Sequence, residues 1–143
     1  MTNKISYVGV KALIVNNEGK VLITQEPTNF VGGGTWELPG GKLSEGEEKV
    51  PLGEVLLREI QEELGNINVS VGKVIDVMRR PWSKPGALAD MVFLAVFLCK
   101  YNGGEITLSE ENNSFAWIEE KDISSYEFID GYREVLVNYF KNL

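Results

Sequence analysis

The sequence predicts an α/β fold, a single domain over residues 1–143 in which helices pack on a mixed β-sheet. Three observations lead there. Short runs of β-branched and apolar residues are bounded by Gly, Asn and Pro turn signals. Two other segments carry apolar residues at helical spacing, and strand-type runs precede each of them. The chain's 143 residues, 43% hydrophobic and 24% charged, suit one core of ordinary size, with no internal repeat, linker or low-complexity tract.

Tyr7–Val15 is rich in β-branched and apolar residues and stops at the turn signal Asn16-Asn17-Glu18-Gly19; Val21–Thr24 resumes after it, which reads as a β-hairpin. Pro27–Thr35, with Gly32-Gly33-Gly34, is a loop, and Trp36–Leu38 is a short strand cut off by Pro39-Gly40-Gly41. Lys42–Val50 is polar and reads as another loop. Pro51–Leu64 is the best helix: Leu52, Leu56, Ile60 and Leu64 recur every four residues, Pro51 suits the first helical position and Gly65 the stop. Ile67–Met78 reads as a strand bent at Gly72, Arg79–Ala89 as a loop, and the apolar run Met91–Lys100 as a central strand covered on both faces. Asn102-Gly103-Gly104 turns the chain into Glu105–Leu108, Ser114–Ile118 is a further strand, and Gly131–Phe140 is an amphipathic helix with Asp130 as its N-cap.

Composition excludes several classes. Aspartate and glutamate number 21 against 14 lysines and arginines, net −7, which argues against binding a nucleic acid polymer. A small phosphate ligand stays open, because a divalent metal brings its own positive charge. There is no histidine, so His-based triads and His-containing zinc sites are ruled out. The single cysteine, Cys99, reads as a buried small residue and suits a reducing, cytoplasmic location. Met1–Tyr7 is too polar for a signal peptide, and Met91–Cys99 is about half of a membrane span, so no membrane association is expected.

The best helix breaks two local rules. Glu59, Glu62 and Glu63 stand at i, i+3 and i+4, on one face, where like charges repel by roughly 0.2–0.5 kcal/mol per pair. They also lie in the C-terminal half, where the helix dipole disfavours negative charge. A bound divalent cation reverses both penalties, and hard Mg²⁺ takes carboxylate oxygens, waters and substrate phosphates. The competing reading is a solvated acidic face. Gly40-Gly41-Lys42 and Glu45-Gly46-Glu47 lead into this helix, a loop able to present backbone groups and Lys42 to phosphate oxygens.

Gly41, Glu47 and the run Arg58-Glu59-Ile60-Gln61-Glu62-Glu63-Leu64-Gly65 resemble the Nudix box, G-x5-E-x7-R-E-U-x-E-E-x-G-U with U a bulky apolar residue. Two departures stand out. Glu48 to Leu57 is ten residues where the pattern has seven, an insertion placed at Glu48–Pro51, and Asn66 replaces the last apolar position. The resemblance covers nearly the whole chain and implies an α/β/α sandwich and an enzyme, a Mg²⁺-dependent hydrolase (Mn²⁺ being an allowed substitute) of nucleoside diphosphates linked to another group.

By the same resemblance, Glu59, Glu62, Glu63 and the Gly40 carbonyl would be metal ligands, and Arg58 would pair with Glu47 to orient the site. The general base would be Glu59, Glu63 or a loop glutamate, Glu111 being preferred to Glu110. From the residues themselves, Arg79, Arg80 and Lys84 are the cations expected on the substrate, with Trp82 for stacking, and a plain solvated loop is the competing reading; Trp36 reads as packing. The substrate implied is a small nucleotide: a nucleoside triphosphate, ordinary or modified, as in MutT-type members, or ADP-ribose or a nucleotide sugar. Pro81, fifteen residues past Asn66, resembles a mark of the second group. The absence of extra N-terminal strands weighs against that group, while a homodimer remains compatible with the pattern. A catalytically silent nucleotide-sensing or partner-binding module is the alternative of another class, opposed by the intact glutamates.

Overall fold

A computed structural model of the chain describes residues 2–27, 34–82 and 86–143. Its elements are β1 (Ser6–Val15), β2 (Val21–Gln25), β3 (Trp36–Glu37), β4 (Gly40–Lys42), α1 (Leu52–Leu64), β5 (Val69–Pro81), β6 (Met91–Tyr101), β7 (Ser114–Ile118), a 3-10 turn (Glu120–Ser125) and α2 (Tyr132–Lys141). The sheet runs β3-β2-β1-β6-β5, with β4 added on β1 and β7 on β2. β1 and β6 are parallel from Ser6↔Met91 to Val15↔Lys100, and the other pairs are antiparallel, so the sheet is mixed.

Alternation along the strands feeds two cores. Leu13, Val92, Leu94 and Val96 pack with Tyr132, Val135 and Leu136 of α2. Val10, Ala12, Ile14, Ala95, Phe97 and Cys99 pack with Val55, Leu56, Ile60 and Leu64 of α1. This is the expected α/β/α sandwich, and β6 is covered on both faces, which is why its sequence is a continuous apolar run. Burial pushes the Cys99 thiol up to about 12, making it a packing residue.

Several elements differ from their sequence reading. β4 forms where a loop was expected, because the Gly40–Lys42 backbone pairs with Gly9–Lys11 of β1. β5 runs on through Arg79, Arg80 and Pro81, paired with Phe93, Val92 and Met91. A proline at the end of an edge strand withholds no needed donor. Near Gly72 the β5–β6 register does shift, between Val71 and Val74. Glu105–Leu108 is not a strand: the Thr107 and Ser109 amides donate to the Leu64 and Glu63 carbonyls, which α1 leaves unpaired at its C-terminal end. Pro51 caps α1 rather than opening it, and α2 starts after Gly131 with no side-chain cap, so Asp130 is not its N-cap. Trp36 packs against the α2-side core with its ring edge-on to Tyr126, as expected. Among the described residues no helix is long and apolar enough to cross a membrane.

Candidate active site

The helical stripe that seats α1 on the sheet also carries Glu59 and Glu63 inward. Each is only 7% exposed, which sets aside the solvated acidic face for these two. Their positions are fixed by β4. The Gly40 amide donates to Glu63 Oε2 at 2.7 Å, and Gly41 packs flat against the Glu59 carboxylate. Burial pushes the Glu63 carboxyl up to about 7, against the pull of Lys11 and the Gly40 amide, while Glu37 and Glu59 push the same way as burial. Burial also raises Glu59, opposed by Arg58.

Arg58 organises the outer side. Its Nε and Nη2 donate to both oxygens of Glu47 at 2.7 Å, a bidentate pair that holds Glu47 below the usual carboxylate range through this hydrogen bonding. Nη2 also reaches Glu59 at 3.1 Å, and Nη1 reaches Glu62 at 2.9 Å. The residues 48–51 lie between Glu47 and the start of α1 without disturbing this pairing. Glu62 departs from its expected company. Its side chain is 54% exposed, held by Arg58, and it does not line the cavity that Glu59 and Glu63 face.

That cavity is a cleft of about 590 Å³, whose lining includes Gly40, Gly41, Lys42, Glu59, Glu63, Arg80, Trp82 and Glu111, together with Lys11, Glu37 and Asn112. The Lys42 Nζ lies 4.1 Å from the Trp82 ring and 4.4 Å from that of Tyr7, and the Arg80 guanidinium 5.5 Å from Trp82. Arg80 Nε is buried with no hydrogen-bond partner among the described residues, as is Asn112 Nδ2. Glu111, on the loop before β7, lines the cleft and raises Glu59 electrostatically, so the expected loop glutamate is brought to the site; Glu110 is not among the lining residues. Arg79, next to Arg80 on a strand, is exposed and lines other grooves. Lys84 lies outside the described residues.

The donor set suits a hard divalent ion. Among the described residues no three carboxylates form a ready-made ligand cluster. Two buried carboxylates, Glu59 and Glu63, instead make a partial oxygen set on the cleft wall, and the Gly40 carbonyl expected beside them accepts from Lys11 Nζ at 3.2 Å. Mg²⁺ characteristically binds through one or two carboxylates and completes its shell with waters and substrate phosphates.

Sequence reasoning missed Lys11 and Glu37. Lys11 is 6% exposed in the middle of β1, and its Nζ donates to Glu37 Oε1 at 2.7 Å and to the Gly40 carbonyl at 3.2 Å. The available signal was a lysine inside the apolar run Val8–Val15, because an unpaired lysine is almost never fully buried.

The Glu63 shift has a measurable sign. Between about 4.5, the ordinary value, and about 7, the metal-free native state binds a proton that the unfolded chain has released. Native stability from this group therefore falls as pH rises through that window. Urea denaturation of metal-free wild type against Glu63→Gln should show the wild type losing ground from pH 5 to pH 8. Mg²⁺ affinity should strengthen over the same range, since binding expels the proton. A stability difference independent of pH would contradict the burial of an ionisable Glu63.

Comparison with known proteins bears on the family and the fold. The NUDIX domain profile matches residues 6–139. The chain is 31% identical over 136 residues to the nucleoside triphosphatase NudI of Escherichia fergusonii, covering 87% of this chain and 89% of that protein. It is 37% identical over 71 residues to the CTP pyrophosphohydrolase of Escherichia coli K12, covering 50% of each. Among solved structures, the MutT protein from Methanosarcina mazei Go1 superposes with a TM-score of 0.79 at 26% identity, covering 99% of this chain and 98% of that one.

Proposed function

The chain belongs to the Nudix hydrolase family, and from that premise we propose that it hydrolyses a phosphoric anhydride bond of a nucleoside triphosphate, ordinary or modified, with Mg²⁺ held on α1. The observation that carries the reading is the burial of Glu59 and Glu63 against Gly40 and Gly41, at the wall of a cleft that Lys42 and Arg80 also line. A divalent ion bound there would neutralise the diphosphate and lower the pKa of a coordinated water.

The chain's own residues supply the rest. Glu59 and Glu63 would present oxygen ligands, and Glu62, held by Arg58 at 2.9 Å, would join them on exchanging that partner. Arg58 and Glu47 hold the start of the acidic face in place. Glu111 stands beside Glu59 as the candidate to accept the proton from the attacking water. Lys42 and Arg80 grip phosphate oxygens, and the uncompensated Arg80 Nε is a donor in need of an acceptor. Solution in the cytoplasm and a small nucleotide as the binding partner complete the proposal, with Mn²⁺ able to replace Mg²⁺.

The triphosphate reading draws on the activities for which the NudI nucleoside triphosphatase and CTP pyrophosphohydrolase relatives are named. The ADP-ribose reading rests on Pro81, which has a structural place of its own at the end of β5. A panel of nucleoside triphosphates, ADP-ribose and nucleotide sugars with Mg²⁺, read out by product, tests the choice. Turnover confined to ADP-ribose or nucleotide sugars would replace the triphosphate proposal.

Arg80→Ala should raise KM about tenfold or more with kcat little changed, because phosphate contacts made in ground and transition states alike are uniform binding. Arg79→Ala, directed away from the cleft, should leave both constants as they are. Trp82→Ala should raise KM for every triphosphate to a similar degree if the ring's work is to seat Lys42. A loss that varies with the base would instead assign Trp82 to base stacking, worth on the order of 1–3 kcal/mol. Equal constants for Arg80→Ala and wild type would remove Arg80 from the substrate site.

A further inference from the structure

We propose that Lys11 is a positioning residue of the active site, acting through the two backbone peptides that meet at Gly40 to set the Glu63 carboxylate for metal. Two sides of one residue carry the link. The Gly40 carbonyl accepts from Lys11 Nζ at 3.2 Å, and its amide donates to Glu63 Oε2 at 2.7 Å. Gly40 thus stands between the buried ammonium and the buried carboxylate, with a polar contact on each side. It has no room to drift: φ is +137°, and a Cβ there would overlap the Val10 carbonyl.

Lys11 is itself fixed. Its ammonium is ion-paired to Glu37 Oε1 at 2.7 Å, with side chains only 7% and 16% exposed, and sits 5.6 Å from the centre of the Tyr132 ring. Burial alone would push the lysine's pKa down, but Glu37, Tyr132 and Glu63 outweigh it, and the group stays charged. A buried, charged lysine is an expensive feature for a β-strand facing a hydrophobic core. Nothing in the family motif contains this position; it comes from β1, far from the box in sequence.

The inference rests on the reading of Glu63 as a metal ligand, with Gly40 as its support, and the test separates the two. Lys11→Met keeps length and removes the ammonium. It should weaken Mn²⁺ binding to the nucleotide-free protein, followed by electron paramagnetic resonance, by about tenfold, and lower kcat at subsaturating metal while leaving the nucleotide KM within about threefold. Extra Mn²⁺ should recover much of the lost turnover, which a general loss of packing would not allow.

Because Lys11→Met strands the Glu37 carboxylate, the double variant Lys11→Met/Glu37→Met carries the same test with both buried charges gone, a change that proteins often tolerate. The double variant should remain impaired in Mn²⁺ binding, since the Gly40 carbonyl still lacks its donor. Wild-type metal affinity and turnover in the folded double variant would overturn the proposal and leave Lys11 as a counter-ion for Glu37. If wild type itself neither binds Mn²⁺ nor hydrolyses nucleotides, the fault lies with the metal-site reading instead.

Discussion

Glu63→Gln is expected to lower turnover at least a hundredfold, about 2.7 kcal/mol of transition-state stabilisation, while leaving the fold intact. The two halves of that result have separate causes. Glutamine keeps an oxygen to accept from the Gly40 amide, so the 2.7 Å contact that seats the side chain survives. It also removes a buried carboxyl already pushed up to about 7, so the metal-free protein should be no less stable at neutral pH. What disappears is the negative charge facing the cleft. Glu59→Gln should behave alike. Glu62→Gln is expected to cause a loss of the same order, which requires its carboxylate to exchange Arg58 for the metal. A loss below tenfold at Glu62 would instead make it a support for Arg58. Near-normal activity with Glu63→Gln would remove α1 from the chemistry altogether.

The paired glycines should separate folding from function. At Gly41, an added Cβ would lie 2.6 Å from Glu59 Oε2 and 2.8 Å from Cδ, the far end of a flexible side chain. Gly41→Ala should therefore fold, with the carboxylate displaced, and lose at least a hundredfold in kcat together with metal affinity. At Gly40 the added Cβ would overlap the Val10 carbonyl and lie 2.8 Å from Lys11 Cα, and φ is +137°. The obstruction there is backbone of β1, which cannot swing aside. Gly40→Ala should lower stability by several kcal/mol, on the scale of a strained backbone plus overpacking. Thermal melts with and without Mg²⁺, run beside the kinetics, check both. A Gly41→Ala protein with wild-type turnover would show that Glu59 need not sit where β4 holds it.

Much of this was legible in the sequence, for reasons that differ by element. Leu56, Ile60 and Leu64 announced α1 because a helix on a sheet must bury one stripe, and Glu59 and Glu63 stood out as charges adjoining it. β6 was legible because burial on both faces leaves nothing to alternate. β4 was not, since Gly40-Gly41-Lys42 has no strand propensity and exists as a strand only through the β1 backbone beside it. The segment Glu105–Leu108 looked like a strand locally but spends its amides on the end of α1. Arg79 and Arg80 looked equivalent; strand pairing places them on opposite faces, and only Arg80 lines the cleft. Glu62 shared a helix face with Glu59 and Glu63, yet Arg58, four residues before it, draws it outward. Lys11 was hidden for a related reason. Its partner Glu37 lies 26 residues away, and no local pattern connects them.

The central claim is that carboxylates on α1 hold a metal at which water cleaves a nucleotide anhydride. The most direct measurement is phosphorus NMR of a nucleoside triphosphate incubated with the wild-type protein in oxygen-18 water, with Mg²⁺ or with excess EDTA. With Mg²⁺, products should accumulate over many turnovers with the isotope in one phosphate of a single product, and with EDTA the spectrum should stay that of the substrate. Nucleotide bound tightly but left uncleaved in Mg²⁺ across the whole panel, or cleavage undiminished by EDTA, would contradict it.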